Sequence, residues 1–341
     1  MEEEKYMWRC IQLAQNGLCN TPPNPMVGAV IVYEGEIIGE GYHVHYGGPH
    51  AEVNAICSVK NQALLKHSTI YVSLEPCSHY GKTPPCADLI LEKRIPRIVI
   101  GCQDPFAKVS GRGIQKLQEA GREVTVGILE KECRQTIRKF ITFQTEHRPY
   151  ITLKWAESTD KFIDICRKGG NPVIFSNSLT TMVTHKRRAE HAAIMVGTHT
   201  AKLDNPSLTV RKWYGNSPVR IVLDRKQNLP SSLHLLDGTE PTLVFTEQPH
   251  DPHHNVEYLP IDYKQDILPQ IMQILYKRGL QSLLVEGGRE LLQSFIDENL
   301  WDEAFVEESS MQLFSGVQAP EISHPYTIEH IFGREFKHYI S

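Results

Sequence analysis

His50-Ala51-Glu52, followed by Pro76-Cys77 and then Pro85-Cys86, constrains this chain more than any other feature. One imidazole and two thiolates can hold a Zn²⁺ ion with three protein ligands. Three ligands leave a fourth position for water, which marks a catalytic rather than a structural site. Any fold must therefore bring three separated segments to one point and bind one zinc per chain. Glu52 stands two residues after the His ligand, where it can lie beside the water without binding the metal. An acidified water and a carboxylate that moves protons are the equipment of hydrolytic deamination.

The spacing sharpens that reading. Nucleoside deaminases carry H-x-E followed by P-C-x-x-C. Here the first half fits and the second is stretched, with Ser78-His79-Tyr80-Gly81-Lys82-Thr83-Pro84-Pro85 between the cysteines. His79 and Lys82 suit a phosphate or a polar heterocycle, and Gly81 and Pro84-Pro85 fix a turn. The competing reading is a structural zinc site with His79 as fourth ligand. Glu52 separates the two, since a structural site has no need of a carboxylate there.

A length of 341 residues suits two domains. The formal net charge of −4 gives no global attraction to nucleic acid, and no basic-aromatic stripe suggests one. No apolar run approaches a membrane span, and Met1-Glu2-Glu3-Glu4-Lys5 lacks the apolar core of a signal peptide. Cys10, Cys19, Cys57, Cys102, Cys133 and Cys166 read as free thiols in a reducing cytoplasm. The expected partners are small molecules, with neither nucleic acid nor membrane, and the expected assembly is a homo-oligomer, a dimer or a tetramer.

Apolar spacing predicts a helix over 3–17, a hairpin of 28–33 and 36–41, and a helix starting after Pro49. Strands follow at 70–74, 97–101 and 123–126, with helices after Pro85, over 113–120 and over 129–143. A boundary falls at Thr145-Glu146-His147-Arg148-Pro149, giving domains 1–146 and 147–341. The second half alternates again, with strands starting at Tyr150 and over 192–196, 219–223, 242–245 and 282–285. The segment 247–254 reads as a solvated loop despite its histidines.

The first 146 residues resemble the deaminase half of the bifunctional riboflavin-biosynthesis deaminase/reductase family. The resemblance runs through Pro23-Asn24-Pro25-Met26-Val27-Gly28, Gly39-Glu40-Gly41-Tyr42-His43, Pro49-His50-Ala51-Glu52, Leu74-Glu75-Pro76-Cys77-Ser78-His79 and Gly81-Lys82-Thr83-Pro84-Pro85-Cys86. It continues through Gln103-Asp104-Pro105 and Gly111-Arg112-Gly113. It implies a cytidine-deaminase-like α/β/α domain with a mixed sheet, and deamination of a diaminopyrimidinone ribosyl phosphate. Asn24, His43, His79 and Lys82 would hold that substrate.

Thr200 to Arg211 and Val285-Glu286-Gly287-Gly288-Arg289-Glu290 are similar to the reductase half of the same family. That half has a dihydrofolate-reductase-like α/β fold and reduces the ribosyl chain with NADPH. The resemblance assigns Thr200, Asp204, Gly287 and Gly288 to NADPH, and Lys154, Arg188, Leu208, Arg211 and Glu286 to the substrate. Arg225, just past a strand end, is placed to meet the 2′-phosphate of NADPH by the electrostatic logic of dinucleotide sites. Three departures stand out. Ser158-Thr159-Asp160-Lys161 lacks the family's turn glycine, Ile174-Phe175-Ser176 replaces Trp-Ile-Thr, and no Ala-Pro motif is recognisable over 307–314. The alternative is a deaminase whose second domain is an inactive scaffold or dimerisation module.

Overall fold

The computed structural model describes residues 2–80, 84–106 and 110–341. The chain divides into two compact units, 1–147 and 148–341. In the first, the elements run α1 (Glu2–Gln15), β1 (Gly28–Tyr33), β2 (Glu36–Tyr42), α2 (Ala51–Ser58), β3 (Thr69–Leu74), α3 (Cys86–Glu92), β4 (Arg97–Cys102), α4 (Arg112–Glu119), β5 (Glu123–Val126), α5 (Glu130–Thr136) and α6 (Arg138–Thr145). The sheet order is β2-β1-β3-β4-β5. β1 is antiparallel to both its neighbours, whereas β3, β4 and β5 are parallel.

The strands are apolar on both faces because both faces are covered. Ala29, Ile31, Ile70, Val72, Ile98 and Ile100 pack with Ala55 and Ile56 of α2, Ile90 of α3 and Leu117 of α4. The alternate residues Val30, Val32, Tyr71 and Val99 pack with Met7 and Ile11 of α1, Cys133 of α5 and Phe140 of α6. One helix was expected over 129–143, and the chain instead forms two. Ile137 leaves helical angles (φ −107°, ψ 19°) and is almost wholly buried. Turning there lets Cys133, Ile137 and Phe140 all reach the core.

The second unit runs β6 (Tyr150–Glu157), β7 (Phe162–Asp164), α7 (Ser178–Ala189), β8 (Ala193–Val196), α8 (Thr198–Asp204), β9 (Val219–Leu223), β10 (Thr242–Thr246), β11 (Val256–Pro260), α9 (Ile267–Lys277), β12 (Ser282–Val285), α10 (Arg289–Asp297), β13 (Glu303–Glu308), β14 (Val317–Gln318), β15 (Tyr326–Ile331) and β16 (Arg334–Ile340). Nine strands form one sheet in the order β11-β10-β9-β8-β12-β6-β13-β16-β15, and β14 pairs with β7. The strands from β11 to β13 are parallel, while β16 and β15 close the edge as an antiparallel hairpin. Phe332-Gly333 turns that hairpin with two positive φ values, 50° and 74°, as a two-residue connection requires. Parallel strands share a carboxyl end, where open α/β sheets bind ligands. No helix among the described residues is long and apolar enough to cross a membrane.

Close backbone approach fixes the helix that bears His50 and Glu52. A Cβ on Gly41 of β2 would lie 2.3 Å from Ala55 N and 2.7 Å from Ala51 O of α2. Gly41→Ala therefore has to push α2 outward. Overpacking of this kind costs roughly 1–3 kcal/mol. Denaturant titration should show the first unit weakened by about that much and the second unit unaffected. An unchanged midpoint would contradict the packing account.

Candidate active sites

Three segments deliver the metal donors. His50 is the residue before the first turn of α2, with extended backbone (φ −71°, ψ 166°). Cys77 lies just beyond the end of β3, and Cys86 opens α3. His50 Nδ1 lies 3.3 Å from Cys86 Sγ and 3.6 Å from Cys77 Sγ. All three donor atoms fall within 4.8 Å of one another. Tetrahedral bonds of 2.0–2.3 Å put neighbouring N and S donors about 3.5–3.8 Å apart, so the set fits Zn²⁺. His79 is exposed and stands outside the group, which leaves three donors among the described residues. Lys82 lies outside the described residues.

Electrostatics suit the same ion. The Cys86 N–H donates to Cys77 Sγ at 3.3 Å. The Cys86 side chain, then His50 and this N–H, pull the Cys77 thiol well below its ordinary value against the effect of burial. Cys86 is pushed well up, first by the hydrogen bond to Cys77 and then by burial. A dication favours the thiolate form of both and displaces their protons. Glu52 is only 3 % exposed. Burial, and then the Cys77 charge, raise its carboxyl to about 7, in the range a proton shuttle needs.

Beside these groups, Asn24 Nδ2 donates to His43 Nε2 at 3.1 Å, and His43 Nδ1 donates to Pro49 O at 3.0 Å. The His43 ring meets the His50 ring edge-on at 5.4 Å. Burial, opposed by that carbonyl, lowers the His43 pKa, so a neutral ring orients Asn24. Two acidic residues escaped the sequence reading. The Glu75 carboxylate accepts backbone N–H bonds from Asp104 (3.2 Å), Gly111 (2.9 Å), Gly113 (2.9 Å) and Ile114 (3.3 Å). One buried side chain thus anchors the Gly111-Arg112-Gly113 turn beside Pro76-Cys77. Its signal was a glutamate at the end of an apolar strand, directly before a ligand. Asp104 is raised to about 6 by burial, and the charge of His79 works against that shift.

In the second unit Arg188 of α7 grips Glu286, the residue after β12. Arg188 Nε donates to one oxygen at 2.9 Å and a terminal nitrogen to the other at 2.7 Å. Both side chains are largely buried. Lys154 of β6 feels the charges of Glu286 and Arg188, so three residues assigned to substrate come together. Arg211 is exposed and donates to Thr209 Oγ1, while its N–H bonds His185 Nδ1. Burial, then Arg188, lower His185 to about 4. Leu208 has a left-handed backbone (φ +54°), and its side chain lies in the core with Val196, Ala201 and Val222. Only its main chain is left to meet a ligand.

The cofactor candidates separate into two groups. Gly287 and Gly288 adopt φ +122° and +76°, and a Cβ on either would lie 3.1 or 3.0 Å from Thr200. The loop is thus packed on Thr200. No side chain caps α10 at Gly288, so its first-turn N–H groups suit a phosphate. Asp204, at the end of α8, pairs with Arg167, which also binds Asp164 at 2.6 Å. Arg225 is exposed and paired with Glu247 at 3.1 Å. The neighbouring Asp224 is buried and accepts the N–H groups of Asn228 and Leu229.

The departures have physical substitutes. Lys161 takes the left-handed turn position at φ +65°, and ion pairs with Glu157 (2.7 Å) and Glu308 (2.8 Å) hold it there. Of Ile174-Phe175-Ser176, Ile174 is exposed, Phe175 is buried, and Ser176 donates to Glu307. Residues 303–308 form β13, with Glu303 and Glu307 buried.

Two family descriptions match the sequence. A cytidine and deoxycytidylate deaminase zinc-binding region covers residues 1–102, and a RibD C-terminal domain covers 149–307. The riboflavin biosynthesis protein RibD of Bacillus amyloliquefaciens is 37% identical over 329 residues, 94% of this chain and 87% of that protein. The Aquifex aeolicus RibD is 39% identical over 309 residues, 89% and 86% of the two chains. A crystal structure of the Thermotoga maritima diaminohydroxyphosphoribosylaminopyrimidine deaminase/5-amino-6-(5-phosphoribosylamino)uracil reductase superposes with a TM-score of 0.90 at 36% identity, covering 99% of this chain and 98% of that one. Acinetobacter baumannii RibD superposes with a TM-score of 0.88 at 30% identity over the same shares. The chain therefore belongs to the RibD family, as a bifunctional enzyme of riboflavin biosynthesis that couples a zinc-dependent pyrimidine deaminase to an NADPH-dependent reductase.

Proposed function

We propose that residues 1–146 carry the deamination and 147–341 the reduction, with the side chains described above in specific roles. The observation that carries the first half is Glu52, buried beside a three-donor set with its carboxyl raised to about 7. Zn²⁺, when held by His50, Cys77 and Cys86, brings the pKa of a water near neutrality. Glu52 takes a proton as the water oxygen bonds to the amidine carbon. It returns the proton to the exocyclic nitrogen as the C–N bond breaks and ammonia leaves. Asn24, oriented by His43, offers its amide to the heterocycle, and His79 and Lys82 serve the ribosyl phosphate.

In the reductase, NADPH supplies a hydride to C1′ of the ribosyl chain. Thr200, Asp204 and the Gly287-Gly288 loop hold the cofactor, and Arg225 would leave Glu247 to meet its 2′-phosphate. Arg188, Arg211, Glu286 and the Leu208 main chain position the substrate. Lys154 gives the ring oxygen a proton as the C1′–O4′ bond opens, and the nitrogen lone pair forms the C=N bond that the hydride then reduces. A homo-oligomer, dimer or tetramer, and a cytoplasmic location belong to the same proposal. Support for the first is the exposed edge strand β15, with Tyr326 and Ile328 about half exposed, since such edges invite pairing. The eight free cysteines support the second.

Two substitutions test the deaminase roles. Glu52→Gln keeps shape but cannot carry a proton. Deamination should fall by on the order of a hundredfold or more while metal analysis still finds zinc, and near-normal deamination would refute the mechanism. Cys86→Ala should lose zinc and deamination together and keep reduction of pre-deaminated substrate. Full zinc retention in that variant would show that the donor set is wrong.

A further inference from the structure

Glu307 is fully buried on β13, and nothing assigned so far to either activity uses it. Its carboxylate accepts the Thr180 hydroxyl at 2.7 Å and the Ser176 hydroxyl at 2.5 Å. No salt bridge reaches it among the described residues. A buried carboxylate held only by neutral hydroxyls is costly unless a cation stands near. Strand register identifies that cation. β13 runs parallel to β6 with Phe305 beside Lys154 and Glu307 beside Ala156. Paired residues project from the same face, and residues two apart on a strand share it. Glu307 therefore lies on the face that carries Lys154, one step nearer the carboxyl ends of both strands. The next residue, Glu308, projects oppositely and has its own lysines, Lys161 and Lys337. Each of the two adjacent glutamates is thereby matched, one on each side of the sheet.

The charge balance around Lys154 points the same way. Burial lowers the Lys154 pKa, Glu286 from the β12 end and Glu307 from β13 oppose that by favouring its ammonium form, and the guanidinium groups of Arg188 and Arg187 from α7 add to the lowering. Glu286 is already engaged by both nitrogens of Arg188. That bidentate pair largely cancels, which leaves Glu307 as the counter-charge not spent on another cation.

We propose that Glu307 is a positioning residue of the reductase, the buried counter-charge that keeps Lys154 protonated and free to face the ribosyl chain. The proposal rests on the reading of Lys154 as proton donor. In the balanced step one proton passes from Lys154 to O4′ as C1′–O4′ breaks, and the hydride of NADPH then adds to C1′. Glu307 touches neither the substrate nor the cofactor, and acts through the lysine.

Steady-state reduction of pre-deaminated substrate across pH, followed through NADPH consumption by the full chain, tests this. A proton-donating lysine gives an alkaline limb on which kcat falls. Removing one nearby opposite charge lowers a lysine pKa by about one unit or more. Glu307→Gln, similar in size and still able to accept a hydroxyl, should move that limb down by about one pH unit and leave the KM for NADPH unchanged. Thr180→Val cuts the tie to α7 and keeps the charge, so its limb should stay in place. A limb that does not move in Glu307→Gln, or moves equally in Thr180→Val, overturns the role of Glu307. Lys154→Gln separates the underlying reading. It should abolish reduction, and a surviving alkaline limb there would overturn the lysine reading and the Glu307 role together.

Discussion

Two thiols and an imidazole hold their donor atoms within 4.8 Å of one another, where the two sulfurs repel once both are ionised, and the first unit is organised around that cost. Each donor arrives from a different element. The end of β3, the start of α2 and the start of α3 can only converge if the two helices sit close on the same face of the sheet. Gly41 of β2 lets α2 come close to the sheet at Ala51 and Ala55. The Cys86 N–H lowers the cost further by bonding the Cys77 sulfur. Glu75 then secures the far wall, spending both of its oxygens on backbone N–H groups. Once the donors are fixed, Glu52 in the first turn of α2 lies against the Cys86 side chain, while His50 before it keeps an extended backbone.

The second unit distributes its charge differently. It gathers Lys154 of β6, Arg188 of α7, Glu286 after β12 and Glu307 of β13 around one group of charges. The Arg188–Glu286 pair is bidentate, whereas Lys154 has no hydrogen bond or ion pair among the described residues and feels its neighbours through their charge. A side chain held in that way keeps its freedom to reach a substrate. Rigid recognition and mobile chemistry are thus assigned to different residues within one site.

Much of this was legible from sequence because it depends on local pattern. The metal donors, Glu52, the strands 28–33, 219–223 and 282–285 and the alternation of strands and helices all follow from spacing and apolar runs. What escaped depends on tertiary partners. No strand was expected over 303–308, yet β13 forms there with Glu303 and Glu307 buried, because hydroxyls of Thr152, Ser176 and Thr180 meet them across the fold. The assignment of Leu208 to the substrate did not show that its side chain lies in the core and leaves the main chain for that role. The missing glycine at Lys161 looked like a loss, yet two glutamates from β6 and β13 hold that residue in the glycine's conformation. Each case is a long-range contact overriding a local rule.

The central claim is that one chain holds two chemically independent sites acting in series, one needing zinc and the other needing NADPH. The most direct measurement gives the full chain the diaminopyrimidinone ribosyl phosphate with NADPH, before and after zinc is stripped by a chelator, and repeats both with the deaminated compound. The account predicts ammonia release followed by NADPH oxidation in the intact enzyme. Stripping should abolish both with the diamino substrate and leave NADPH oxidation intact with the deaminated one. NADPH oxidation lost with both substrates on stripping, or retained with the diamino substrate without ammonia release, would contradict it.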